Sequence, residues 1–163
     1  TREEMLKKML RSFAAYYDIN TETPAAPFAA EAVFHSHSDA YFLVKKAAIG
    51  EAESHEYVFF ASVDQLDSSL LASLDQTAWD TGISRVKPHS SHRNTDVTLV
   101  VAASSVTEEA KAQIPRLKHY KKLPHEPYGF SHYHLIVADL SSGDLTCNRQ
   151  GRSLKKAVLT KIL

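Results

Sequence analysis

The chain has 163 residues, 44% of them apolar, with 19 basic against 19 acidic side chains, nine histidines and one cysteine. This length and apolar content suit one globular domain over residues 1–163 and exclude disorder throughout. The neutral balance supplies no overall field for nucleic acid or an anionic membrane, and a lone thiol allows no internal disulfide or zinc ribbon.

The first element in chain order is a helix over Arg2–Tyr17. Met5, Leu6, Met9, Leu10, Phe13, Tyr16 and Tyr17 recur at helical spacing, with Lys7, Lys8 and Arg11 away from that stripe. This opening is a polar amphipathic segment rather than a signal peptide. Pro24 and Pro27 mark a loop, and three strands follow over Phe28–His37, Ala40–Ile49 and Glu56–Ser62. Asp64 is the expected N-cap of the next helix, with Leu66, Leu70, Leu71, Leu74 and Ala78 as its stripe and Gly82 as its stop.

Lys87–Asn94 is polar and irregular, so it is expected as a loop. Asp96–Ala103 is almost wholly apolar after its first residue, which predicts a central strand buried on both faces. Ser105-Val106-Thr107-Glu108 reads as a capping box for a helix running to about Arg116. Lys118–Lys122 and Gly129–Leu140 read as strands. Gly143-Asp144 turns the chain into a last strand over Leu145–Arg149, and a closing helix carries Leu154, Ala157, Val158 and Ile162. The fold class is therefore α+β, a mixed, mainly antiparallel sheet with flanking helices in the order αβββαβαβββα.

Three histidine pairs stand out: His35 and His37, His89 and His92, His132 and His134. A spacing of two in a strand sends both imidazoles to one face, where a nearby carboxylate would complete a metal site. Ordinary surface histidines are the simpler account. Cys147 reads as a small buried apolar residue rather than a nucleophile. No HExxH, GxSxG, P-loop or GxGxxG is present, and five glycines leave little material for a phosphate cradle. Basic residues run through Arg116, Lys118, His119, Lys121 and Lys122, and again through Arg149, Arg152, Lys155, Lys156 and Lys161. At neutral net charge these read as solvated edges, so strong nucleic-acid binding is not expected.

The order helix, three strands, helix, strand resembles the core of PD-(D/E)xK nucleases. That family implies an acidic residue in the second strand and a Glu-x-Lys or Asp-x-Lys in the third, with magnesium between them. Asp39 and Glu56 take the acidic positions, but Val58 stands where the lysine belongs.

Tyr41-Phe42-Leu43, Glu56-Tyr57-Val58-Phe59-Phe60, Val86-Lys87-Pro88-His89-Ser90-Ser91-His92, Leu135-Ile136-Val137-Ala138-Asp139-Leu140 and Thr146-Cys147-Asn148-Arg149-Gln150-Gly151 span nearly the whole chain. On them the chain resembles a family of small uncharacterised single-domain proteins from clostridia and related bacteria. The resemblance implies no activity, cofactor or partner, and it points to Lys87, His89, His92, Asn148 and Arg149 as ligand-binding candidates.

Taken together, the expectation is a cytoplasmic, non-catalytic domain binding a small anion or a protein, with no cofactor and no membrane. The alternative is a metal-dependent hydrolase of the PD-(D/E)xK kind. The site is expected at the His89–His92 loop, with Asn148 and Arg149 beside it.

Overall fold

The computed structural model describes residues 1–35, 53–85, 92–122 and 130–156. The predicted strand over Ala40–Ile49, Asp39, His37, Lys87 and His89 lie outside them.

Helix α1 (Arg2–Phe13) opens on a capping box in which the Thr1 hydroxyl accepts from the Glu4 N–H and the Glu4 side chain reaches back. Strands β1 (Asp18–Asn20), β2 (Ala30–His35) and β3 (Glu53–Leu66) follow, paired antiparallel in that order. The chain then crosses through α2 (Ser68–Ser84) into β4 (His92–Val106), which is parallel to β3. Helix α3 (Glu108–Gln113), a 3-10 turn (Ile114–Arg116) and β5 (Tyr120–Lys122) lead to β6 (Phe130–Asp139), parallel to β4 and antiparallel to β5. Strand β7 (Asp144–Cys147) returns along β6, and residues 152–156 are helical. The sheet order is β1-β2-β3-β4-β6-β5, with β7 also on β6.

Alternation along β4 decides what each face meets. Val97, Leu99, Val101 and Ala103 pack with Leu71, Leu74, Ala78 and Trp79 of α2 and Ala110 of α3. Val100 and Ala102 pack with Met9 and Phe13 of α1. The almost wholly apolar reading of this strand is thus explained by a helix layer on each side.

Several boundaries differ from the sequence expectation. The helix after β3 is capped by Asp67, whose side chain accepts from the Leu70 N–H at 2.7 Å, not by Asp64. The reason is that β3 stays paired with β4 as far as Leu66↔Val106, which carries Asp64 into the strand. For the same reason Ser105 and Val106 belong to β4, and Thr107 caps α3 by accepting from the Ala110 N–H. Gly82 does not stop α2, which continues to Ser84. A Cβ at Gly82 would sit 2.5 Å from the Val97 Cγ2, so this glycine lets the helix approach the sheet. Gly143 does turn the chain as expected, with φ 77°. His92 opens β4, its backbone paired with Glu53, instead of lying in a loop. Strand β1 falls where the sequence suggested the end of a helix and a loop.

The described elements over residues 2–106 run in the order αβββαβ, and of the two acidic positions Asp39 lies outside the described residues. Register places Glu31 opposite Phe59, on the α2 face, and Glu56 opposite Phe34, on the α1 face. Buried Glu31 is occupied structurally: it pairs with Arg85 at the end of α2 and accepts from the Ala25 N–H at 2.7 Å.

At the far end of β6, buried Asp139 accepts from the Ser141 hydroxyl at 2.6 Å and lies 3.4 Å from the Lys111 Nζ. Burial alone would raise its carboxyl, but hydrogen bonds from Ser141, Ser142 and Lys111 outweigh this and hold it below the usual carboxylate range.

Leu99→Ala should cost about 2–5 kcal/mol in chemical denaturation, as expected for a leucine with no exposed surface. Leu140→Ala, 42% exposed, should change stability by under about 0.5 kcal/mol. For Asp139, a folded value lower than the unfolded one stabilises the protein above about pH 3.9 and is lost as pH falls through the folded value. Denaturation of wild type and Asp139→Asn across pH should therefore show the variant weaker at neutrality and the gap narrowing in acid.

Candidate functional site

The apolar rows beneath α1 stop at a definite level. The row Ala30, Phe60, Val100, Ile136 is apolar across four strands. One pleat nearer the start of the parallel strands, the row is Ala32, Val58, Thr98, His134, and the next is Phe34, Glu56, Asp96, His132. Tyr120 of β5 pairs with His132 and extends that last row, with ring centroids 5.4 Å apart. Two carboxylates, two imidazoles and a buried threonine hydroxyl thus share one half-buried sheet face.

Hydrogen bonds join them. Tyr17, just beyond α1, donates to the Glu56 Oε2. The Thr98 hydroxyl donates to the Glu56 Oε1 at 3.3 Å and lies 3.2 Å from the His134 Nδ1. An ionised carboxylate only accepts, so the single Thr98 proton goes to Glu56 and its oxygen accepts from the His134 Nδ1–H. This assigns the His134 tautomer and ties β3, β4 and β6 together by side chains. Beside the bridge, the Asp96 Oδ1 is buried and has no hydrogen-bond partner among the described residues. Among the described residues no group of three or more His, Cys, Asp or Glu is arranged to hold a metal ion.

His132 and His134 share a face, as their spacing predicts. Asp96, Thr98 and Tyr17 were not singled out by the sequence. The available signal was the pair of polar residues two apart, Asp96 and Thr98, at the start of the apolar run that ends at Ala103.

Asn148 has a different role. Its Oδ1 accepts from the Leu135 N–H at 3.0 Å and the Gly151 N–H at 2.9 Å, while its Nδ2 donates to the Leu117 carbonyl at 3.0 Å and the Tyr133 carbonyl at 3.1 Å. Every side-chain donor and acceptor is used by backbone, so this buried amide holds the fold rather than a ligand. Gly151 is required alongside it, since a Cβ there would lie 2.8 Å from the Leu135 carbonyl oxygen. Arg149 is exposed. Asn148 contacts β6 at Leu135, level with Leu99 of β4, seven residues beyond His92. At the usual strand rise this is about 23 Å, so Asn148 and Arg149 are not neighbours of His92.

No helix among the described residues is long and apolar enough to cross a membrane. Residues 1–160 match a domain of unknown function, DUF8052, and the chain belongs to that family. No curated protein and no solved structure matches it.

Asn148→Ala should cost on the order of 3 kcal/mol in chemical denaturation, because it strands buried backbone groups. Arg149→Ala should be neutral within about 0.5 kcal/mol.

Proposed function

We propose that this member of the DUF8052 family is a binding domain for a small cationic, hydrogen-bond-donating ligand, an amine or a guanidine. The ligand sits on the row of Glu56, Asp96 and His132. The observation that supports this reading best is the buried, unpartnered Asp96 Oδ1 between a carboxylate and an imidazole. A buried acceptor left empty is costly, and a donor from a ligand would relieve it. A cation also suits the two carboxylates. The small-anion expectation rested on Lys87 and Arg149, and Arg149 lies away from this row. The hydrolase alternative has less support, since Val58 holds the lysine position. A bacterial source near the clostridia and a cytoplasmic setting belong to the same reading and rest on the motif resemblance and the single cysteine.

The test is calorimetric titration of the whole chain with a primary alkylamine, an alkylguanidine, phosphate, zinc and manganese. Saturable binding of the amine or guanidine is expected, weakened at least tenfold (about 1.4 kcal/mol) by Asp96→Asn and by Glu56→Gln, and unchanged by Arg149→Ala. Binding of zinc or manganese alone would replace this reading with the metal-dependent one. Binding of phosphate alone, or amine binding untouched by Asp96→Asn, would overturn it.

A further inference from the structure

The opposite face of the sheet carries a second polar constellation, separate from the ligand row. Asp75 lies on the buried stripe of α2, between Leu71 and Trp79, and is 4% exposed. Its Oδ2 is 2.7 Å from the Nε2 of His119, which stands between the 3-10 turn and β5. The His119 ring stacks on Trp79 with centroids 5.1 Å apart and planes 14° apart, and meets Tyr133 edge-on at 4.9 Å. The imidazole is thus fixed in position, rotation and tautomer. With the Nε2–H donated to the carboxylate, Nδ1 carries the lone pair.

The surroundings of Asp75 reinforce this. The Tyr133 hydroxyl is fully buried beside it, and burial first, then the Asp75 charge, hold that phenol well above its ordinary range. Tyr133 therefore remains protonated. Among the described residues neither the Tyr133 hydroxyl nor the Asp75 Oδ1 completes a hydrogen bond of good geometry, which leaves the carboxylate's strong contact on His119. The imidazole itself is 20% exposed, and no described residue bonds its Nδ1.

We propose that His119 is a nucleophilic imidazole, oriented by Asp75, that takes an acyl group from small activated esters. A buried carboxylate holding an imidazole in one tautomer is the arrangement that makes the other ring nitrogen an effective nucleophile or base. In the step, the Nδ1 lone pair attacks the ester carbonyl carbon, the carbon–oxygen bond breaks and the alcohol oxygen leaves with its electron pair. The acyl-imidazolium so formed keeps its Nε2 proton, and Asp75 balances its charge. Water then attacks the acyl carbon, the nitrogen–carbon bond breaks with its electron pair returning to Nδ1, the carboxylic acid departs with one water proton, and the other water proton passes through solvent to the departed alkoxide, leaving neutral His119. His119 is the catalytic residue and Asp75 a positioning residue.

The experiment uses the intact chain with diethyl pyrocarbonate, resolving each of the nine histidines by peptide mass mapping, together with 4-nitrophenyl acetate. His119 is expected to be carbethoxylated at least tenfold faster than N-acetylhistidine at neutral pH. Asp75→Asn should slow His119 at least tenfold and leave His132 unchanged, and Asp75→Glu should restore part of the rate. His119→Asn should remove most of the 4-nitrophenolate release above buffer. A His119 rate no greater than that of N-acetylhistidine would overturn the proposal, as would a folded Asp75→Asn that reacts like wild type. If circular dichroism shows Asp75→Asn unfolded, the wild-type comparison with N-acetylhistidine decides alone. None of these readings depends on amine binding at Asp96.

Discussion

The two-sided parallel pairing of β4 is the constraint from which the rest of the architecture follows. Its backbone is bonded to β3 on one edge and to β6 on the other, both in parallel. Parallel neighbours cannot be joined by a tight turn, so the chain must travel back along a face each time. It does so through α2 and then through α3 and the 3-10 turn, and both packings fall on the face of Val97, Leu99 and Val101. The other face then needs its own cover, which α1 supplies with Met9 and Phe13. The antiparallel strands β1, β2, β5 and β7 finish the edges of this frame.

That frame also fixes where chemistry can lie. Helix α1 is 12 residues long, and the apolar cluster beneath it reaches Ala32 and Val58 on β2 and β3 but ends at Val100 and Ile136 on β4 and β6. Past it the same pleat that buried valines presents Thr98, Asp96, His134 and His132. A parallel register brings side chains of equal strand depth side by side, so polar residues distant in sequence become neighbours without any loop. On the other face, one acidic position within the stripe of α2 has a comparable effect, drawing His119 onto Trp79.

Much of the frame could be read from residue order. The run Val97–Ala103 has no polar residue other than Thr98, which is enough to require two buried faces. The stripe of Met9 and Phe13 names the side of α1 that meets the sheet. What could not be read was register. Nothing local distinguishes Asp64 from Asp67 as a cap, because the choice is made by how far β3 stays paired with β4. Gly82 looks like a helix stop in sequence, and only the closeness of Val97 shows its purpose. Asn148 and Arg149 are adjacent in sequence, yet one is buried among carbonyls and the other is exposed. The grouping of Glu56, Thr98 and His134 required knowledge of which residue lies opposite which. Asp75 was the anomaly most open to detection, a carboxylate spaced four residues from both Leu71 and Trp79.

The Asn148 amide bears on how the molecule avoids its own copies. The outer edge of β6 is shared by two short strands: β5 pairs it at Phe130–His132 and β7 at Ile136–Asp139. Between them, Leu135 would present a bare N–H and carbonyl, and Tyr133 a bare carbonyl, to any extended peptide. Asn148 fills that interval, giving Leu135 both a backbone N–H and a side-chain oxygen, and Tyr133 a side-chain N–H. Unsatisfied strand edges are templates for intermolecular sheet growth. A single carboxamide therefore serves as a splice between two strands that do not meet, and it removes the gap at which a foreign strand would otherwise add to the apolar centre of the sheet.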